Sequence, residues 1–511
     1  MAANGTPNGS ANGAPPGGFY APCTGPDGAY LAYIDGSWRA SSSGSTVPVE
    51  RPSTGESSAF RVQACTPAEA DEAFAAAKRA QKQWARTPLH ARAAALHRAA
   101  ALLREHWEAP AAALVKEVAK AAKDAKTEVL RSADLLDYCA EEGVRKLSEG
   151  KMVTSDAFPG TERNKLCMVH KVPLGVVLCI PPFNYPINLC VSKLGPALVA
   201  GNACVVKPPT QGAVSGVLLT QCFAEAGLPP GLVSLVSGRG SDIGDHLTGH
   251  PSVDCISFTG GDTGLAVARR AGMVPLQMEL GGKDACVVLP DADLDLAAAN
   301  IVKGGFSYSG QRCTAVKVVV AFHEVADALV EKVAAKVAKL KVGAPEDDAD
   351  VTAVVSKKSA DFVEGLVRDA EAKGAKLLHP FKREGNLLWP VLVDNVTRDM
   401  RLCWEEPFGP VVPVVRVGTE EEALELVNAS QYGLQGCVFT RDINRAVRMS
   451  DAMETGTVQI NSAPARGPDH FPFQGVKNSG IGSQGIVNSI EMMVKTKTTV
   501  VNLDKPSYAV A

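Results

Sequence analysis

The pattern of apolar and polar positions changes twice along the chain. Between residues 66 and about 148, Ala, Lys and Glu dominate and β-branched residues are few. That composition favours helix, because straight-chain side chains lose little rotamer freedom there. Thr66-Pro67-Ala68-Glu69 has the form of a capping box with proline at the first helical position. The last helix of this series is expected near residues 127–147. From Val172 the period shortens. Contiguous apolar runs at 174–180, 203–207, 232–237, 254–258 and 276–280 alternate with mixed segments at 190–200, 211–226, 241–248 and 263–271. The runs read as buried strands and the mixed segments as helices. This alternation predicts an α/β fold, a parallel sheet with helices on both faces. A second series starts near Ala285 and runs to about Gly480. Residues 491–503 are β-rich and are expected to add a strand to another sheet.

Composition narrows the class. The chain has 511 residues, 46% of them hydrophobic and 21% charged, which suits a soluble globular protein of about three domains. Lys plus Arg number 52 and Asp plus Glu 55, for a net charge of −3. That balance gives no support to nucleic acid or an anionic membrane as a partner. The longest apolar stretch, 172–183, is broken by Gly175 and Pro181 and is too short to span a bilayer. Residues 1–22 are uncharged and rich in Ala, Asn, Gly and Pro, so a disordered tail is expected. The first 38 residues lack Lys and Arg, unlike a signal or transit peptide, and the last four carry no peroxisomal or prenylation signal. The 13 cysteines are dispersed, with no C-x-x-C pair. Free thiols in a reducing compartment are therefore expected, with cytoplasm as the location.

Open parallel sheets bind ligands beyond the carboxyl ends of their strands, so the residues after each strand come first. Gly238-Arg239-Gly240-Ser241-Asp242-Ile243-Gly244 and Thr259-Gly260-Gly261-Asp262-Thr263-Gly264 both turn from a strand into a helix. Such turns bring backbone close to a ligand and present a helix N-terminus to an anion. Each alone is weak; the two in succession leave a dinucleotide site and plain tight turns evenly balanced. Lys207, with Thr210 three residues on, suits a phosphate or a ribose, or is simply solvated. Glu279 lies among apolar residues, where a carboxylate should have a raised pKa and suit a general base; an ion pair with Lys283 is equally open. Cys313 follows Arg312, and an adjacent cation stabilises thiolate, the reactive form. Cys204, Cys255 and Cys286 lie in apolar strands and read as core. His246 and His250 are four apart, but Gly249 and Pro251 break the helix they would need, so no metal site is expected.

Together these motifs resemble the aldehyde dehydrogenase superfamily, from about residue 25 onward. Phe183-Asn184-Tyr185-Pro186, Lys207-Pro208, Phe258-Thr259-Gly260, Glu279-Leu280-Gly281-Gly282-Lys283, Gly310-Gln311-Arg312-Cys313 and Glu405-Glu406-Pro407-Phe408-Gly409-Pro410 stand in the superfamily's order. NYPINL, KPPTQGAV, SFTGGDTG, MELGGKDA and QINSAPARGPDHFPFQG carry a closer similarity to the non-phosphorylating glyceraldehyde-3-phosphate dehydrogenases of plants and algae.

The resemblance implies roles. Cys313 would attack an aldehyde, Asn184 and the Cys313 N–H would form the oxyanion hole, and Glu279 would activate water against the thioester. Glu406 would hold the nicotinamide ribose and Phe408 would pack beside it. Gly260, Gly261 and Gly264 would meet the cofactor, although relatives place the second glycine of this loop at the position of Leu265. Thr210 stands where NAD-preferring relatives often carry Glu; without that carboxylate's repulsion, and with Lys207 nearby, NADP is expected. Arg239 and Asp245 are further cofactor candidates. Arg131, Tyr185, Arg312, Thr314 and Arg466, with Asn184, are the implied contacts of a phosphorylated aldehyde, whose charge suits guanidinium forks. Arg131, in a helical stretch, equally suits a surface ion pair, whereas Arg466 lies in a rigid loop with no acid before Asp469.

The expected architecture is a Rossmann-type cofactor domain (23–149 and 172–281), an α/β catalytic domain (282–485) and a small β bridging element (150–171 and 486–511). Strand pairing through that element would give a dimer, and the resemblance implies a dimer of dimers, a homotetramer. Rival readings are another aldehyde dehydrogenase, such as one for succinate semialdehyde, a Cys/Glu thioester hydrolase without redox chemistry, and a non-catalytic protein on the same fold.

Overall fold

The computed structural model describes residues 18–503. Most of the predicted tail, and the terminal residues weighed for targeting, lie outside the described residues. Residues 18–22, expected within that tail, belong instead to a short 3-10 turn, Gly18–Cys23. Its Tyr20 is buried and donates to the His106 carbonyl at 2.9 Å.

The helical region holds α1 (Pro67–Trp84), α2 (Leu89–Glu105), α3 (Glu108–Val118) and α4 (Ala122–Leu147). The capping box at α1 forms: Thr66 Oγ1 accepts from the Glu69 N–H at 3.3 Å and Glu69 Oε2 accepts from the Thr66 N–H at 2.8 Å. Glu69 also accepts from Ser41 Oγ and the Ser42 N–H, tying the start of α1 to the preceding loop.

The alternating region folds as β1 (Val176–Ile180), α5 (Asn188–Ala200), β2 (Ala203–Val206), α6 (Ala213–Glu225), β3 (Val233–Leu235), α7 (Asp245–Thr248), β4 (Cys255–Thr259), α8 (Thr263–Arg270) and β5 (Leu276–Glu279). The five strands are parallel, in spatial order β3-β2-β1-β4-β5. The order reverses beside β1, and a crevice opens where loops diverge at such a switch point. Antiparallel strands close both edges, Ala32–Ile34 on β3 and Gly480–Ile481 on β5. The predicted helix at 241–248 is shorter: residues Gly240–Gly244 form a wide π turn before α7.

The second series folds around β6 (Ala285–Val288), β7 (Val318–Phe322), β8 (Val391–Asp394), β9 (Val411–Val417), β10 (Gln435–Phe439) and β11 (Thr457–Ile460), parallel and in the order β8-β9-β7-β6-β10-β11. Each sheet has its own buried apolar core. Strands Lys151–Thr154, Lys165–Pro173 and Val494–Asn502 make a separate antiparallel sheet. The helix Ile486–Met492, in the segment expected to bridge, buries Ile486 and Ile490 in the first core. No helix among the described residues is long and apolar enough to cross a membrane.

Candidate active site

The carboxyl ends of β1 to β5 open onto a cavity of about 500 Å³. Pro181, Phe183 and Asn184 reach it after β1, Lys207 and Pro209 after β2, Gly240, Gly244 and Asp245 after β3, Gly260 and Gly261 after β4, and Leu280 and Gly281 after β5. Cys313, Glu406 and Phe408 enter from the second half of the chain. The residue motifs therefore converge from both series onto one crevice.

The segment carrying Cys313 is shaped by its backbone. Tyr308 and Ser309 both have φ above +50°, in the left-handed region. Gly310 also has positive φ, and a Cβ there would run into the Gly409 carbonyl; only glycine passes so close to that loop. Buried Gln311 anchors the turn by accepting from the Val355 N–H at 2.9 Å, and its own carbonyl accepts from Asn184 Nδ2 at 2.9 Å. Asn184 is thus bonded to the backbone two residues before Cys313. Behind it, Lys120 donates to the Asn184 carbonyl at 2.6 Å and forms a buried ion pair with Glu128. Glu128 Oε1 accepts from the N–H groups of Ile187 and Asn188 at 3.0 and 3.1 Å. Breaking such a buried pair typically costs about 3–5 kcal/mol, so Lys120 and Glu128 fix the loop that carries Asn184.

Glu279 ends β5 and is 1% exposed. Its Oε2 lies 3.3 Å from Arg466 Nη1, and its Oε1 has no hydrogen-bond partner among the described residues. The open ion pair with Lys283 does not form; Lys283 donates to the Leu402 and Glu405 carbonyls, each at 2.8 Å. Burial, and then Glu279 beside it, push the half-buried Cys313 thiol well above its ordinary pKa. The expectation that Arg312 activates it is corrected. The cations that oppose the rise are Lys317 and Arg466, while Arg312 turns to Ser307 Oγ at 2.5 Å and the Pro464 carbonyl at 3.3 Å.

The cofactor candidates separate. A Cβ at Gly240, Gly244 or Gly261 would meet open space, so bare backbone from two loops faces the cavity. Lys207, 6% exposed, donates to its neighbour's carbonyl at 3.0 Å and has donors left over. A cradle of bare backbone with one buried ammonium fits a dinucleotide phosphate. Burial lowers that ammonium to about 8. Gly264 is not in the wall: a Cβ there would strike the Leu280 side chain, so this glycine serves helix packing. Thr210 is half-buried beside the wall residue Pro209, and Arg239 is exposed beside Gly240. Asp245 is paired with Arg270 at 2.8 Å. Glu406 is half-buried, and Phe408 meets Phe183 edge to face at 5.7 Å.

Tyr185 and Arg131 line a second, smaller cavity of about 130 Å³ with Lys120, Ser307 and Tyr308. Arg131 forms a two-pronged ion pair with Asp469, at 2.6 and 2.7 Å, and donates to the Arg466 carbonyl at 3.0 Å. The expected absence of an acid at Arg466 is also corrected, since Glu279 reaches it across the fold. Thr314 is buried, 3.5 Å from the Arg312 guanidinium.

Overall matches now have a geometry to explain. The aldehyde dehydrogenase family profile matches residues 38–499. The chain belongs to the aldehyde dehydrogenase family. The chain is 67% identical over 479 residues to the NADP-dependent glyceraldehyde-3-phosphate dehydrogenase of Triticum aestivum, covering 94% of this chain and 96% of the relative. It is 71% identical over 233 residues to the protein of the same name from Scenedesmus vacuolatus, covering 46% and 100%. Among solved structures, the NADP-dependent glyceraldehyde-3-phosphate dehydrogenase of Bacillus halodurans, complexed with NADP, superposes with a TM-score of 0.91 at 47% identity, covering 93% of this chain and 99% of that one.

Sequence reading missed three buried lysines of this aldehyde dehydrogenase: Lys120, Lys193 and Lys317. Lys193, on α5, donates to Thr259 Oγ1 at 2.7 Å, and burial lowers it to about 8. Their one signal is a lysine inside an apolar run. Sequence reading also held His246 and His250 apart. Their rings meet at 5.6 Å and share Asp71. His250 Nδ1 accepts from the Ser252 N–H at 3.1 Å, which places the proton of the neutral ring on Nε2, facing Asp71.

Proposed function

We propose that this protein oxidises D-glyceraldehyde 3-phosphate to 3-phosphoglycerate, irreversibly, with reduction of NADP to NADPH and without inorganic phosphate. The observation that carries the reading is Cys313 in the wall of the cavity that fits a dinucleotide phosphate, with Glu279 and its partner Arg466 beside the thiol. The relatives' names support the substrate and the cofactor.

The Cys313 thiolate adds to the aldehyde carbon and forms a thiohemiacetal. Asn184 Nδ2 and the Cys313 N–H stabilise the oxyanion, and one such donor is typically worth ~2.7–4 kcal/mol. NADP, when bound, supplies the acceptor for the hydride that leaves the substrate carbon. Glu279 takes a proton from water, which attacks the resulting thioester and releases the free acid. Its unpartnered Oε1 is the oxygen available for that water. Lys207 and Thr210 would hold the 2′-phosphate side of the cofactor, and Glu406 the nicotinamide ribose. Arg131, Arg312, Arg466 and Tyr185 hold the substrate phosphate.

We also read the protein as a cytoplasmic homotetramer. The small antiparallel sheet leaves Met152, Val153 and Val500 exposed, which supports pairing with a second copy.

The test is NADPH absorbance with purified protein, D-glyceraldehyde 3-phosphate and NADP, in the absence of phosphate and arsenate. Rapid reduction, lost in Cys313→Ser, is expected. Reduction with succinate semialdehyde alone would overturn the substrate. Failure to bind any dinucleotide would return the thioester hydrolase.

A further inference from the structure

Lys317 lies four residues after Cys313, in the apolar stretch Ala315-Val316-Lys317-Val318, and is 1% exposed. The steps above do not use it. Its ammonium makes two contacts of different kinds. It donates to the Cys313 carbonyl oxygen, and it lies 2.8 Å from Glu406 Oε1. The Lys317 N–H is pinned to the Asp284 carbonyl at 3.0 Å, which fixes the root of the side chain. Glu406 Oε1 also accepts from the Gly282 N–H at 3.2 Å. Oε2 is then the oxygen left to face the cavity. A buried ammonium is tolerated only when its charge is matched and its donors are used, and both partners belong to the reaction centre.

We propose that Lys317 is a positioning residue for both sides of that centre: it orients Glu406 at the cofactor cavity and supplies the buried positive charge beside the Cys313 thiolate. This rests on Cys313 as the nucleophile and not on the identity of the aldehyde.

The charges around the thiol make the idea testable. Glu279, at the end of β5, opposes ionisation, whereas Lys317 and Arg466 favour it. Around Lys317 stand Glu406, Asp284 and Lys283. Burial raises the Asp284 carboxyl to about 8 and lowers Lys283 to about 7. Glu406 is the carboxylate that the Lys317 ammonium contacts directly. Glu406 accordingly offsets part of the field that Lys317 exerts on the thiol. Removing the two partners must move Cys313 in opposite directions. Lys317→Met removes the cation and makes the thiolate harder to form. Glu406→Gln leaves the cation unopposed and makes it easier. A residue that merely supported the fold would not give opposite signs.

The measurement is the pH dependence of Cys313 alkylation by iodoacetamide in the cofactor-free protein, read by peptide mass spectrometry so that the other cysteines are not counted. Lys317→Met is expected to raise the midpoint by about one pH unit, a tenfold change in thiolate at fixed pH. Lys317→Arg should restore the wild-type midpoint, and Glu406→Gln should lower it by a similar amount. Wild-type behaviour in Lys317→Met, or shifts of the same sign in both variants, would overturn the proposal. Should Lys317→Met not fold, Glu406→Gln decides alone: a lower midpoint supports it and any other result overturns it. No aldehyde enters this experiment, so a wrong substrate assignment would show in the NADPH assay and leave this result standing.

Discussion

The two cavities are built on opposite terms. The larger one, at the ends of β1 to β5, is walled by apolar side chains and bare glycine backbone, and its one buried ammonium has donors to spare. The smaller one is lined by charged groups already engaged: Arg131 with Asp469, and Lys120 with Glu128. Arg466, whose carbonyl caps Arg131, has its guanidinium on Glu279. A cofactor entering the first cavity displaces little. A substrate phosphate entering beside the arginines has to exchange with carboxylates that hold them. Binding on that side is therefore coupled to the base, because the ion pair that Arg466 would give up is the one that holds Glu279.

The largest effect should come from Cys313→Ala, which removes the proposed nucleophile from the wall of the larger cavity. We expect oxidation to fall by roughly four orders of magnitude or more, while NADP binding, followed by fluorescence, stays at the wild-type level; loss of both would erase the distinction between the cavities. Glu279→Gln should lower turnover by ~10²–10⁴-fold, the usual contribution of a general base. A stopped-flow trace should keep a burst of NADPH, because only hydrolysis is lost; a missing burst would place Glu279 earlier in the reaction.

Arg466→Ala sharpens the coupling. Losing a buried charged partner costs ~2–5 kcal/mol, so KM for the phosphorylated aldehyde should rise tens-fold or more, while a small neutral aldehyde loses less, through Glu279 and Cys313 only. Equal damage to both substrates would mean that Arg466 serves Glu279 alone. Thr210→Glu is a smaller test of the larger cavity: NADP-over-NAD preference should shift about tenfold toward NAD, measured as a ratio of kcat/KM values. Unchanged preference would remove Thr210 from cofactor choice.

The smallest effect is one of pH. Burial places the Lys207 ammonium near 8. Protonated below that value, it attracts a 2′-phosphate; above it, the charge is lost. The NADP dissociation constant should therefore rise by about three- to tenfold between pH 7 and 9, with NAD changing less. Parallel titration of both cofactors by calorimetry checks this.

Much of this was legible in the chain. Contiguous apolar runs announce parallel strands, because a strand covered on both faces has no polar side, and all five parallel strands of the first sheet fell where such runs stand. The capping box at Thr66 is a local device and needs no tertiary contact to be read. Asn184, Glu279 and Cys313 stood out because short motifs constrain them. Gly264 shows the limit of a motif: its place in the glycine loop suggested a cofactor contact, while its packing against Leu280 is visible only in three dimensions.

What the sequence determined by itself was the order of the elements, the buried strands and the residue types that carry the chemistry, since each depends on neighbours within a few positions. The tertiary structure alone decided which charges meet. Arg466 finds Glu279 across 187 residues and Arg131 finds Asp469 across 338. Lys317 finds Glu406, and Ile486 and Ile490 pack into the first core. Coulomb interactions and burial depend on distance in space, and no periodicity along the chain encodes which distant segments will close that distance.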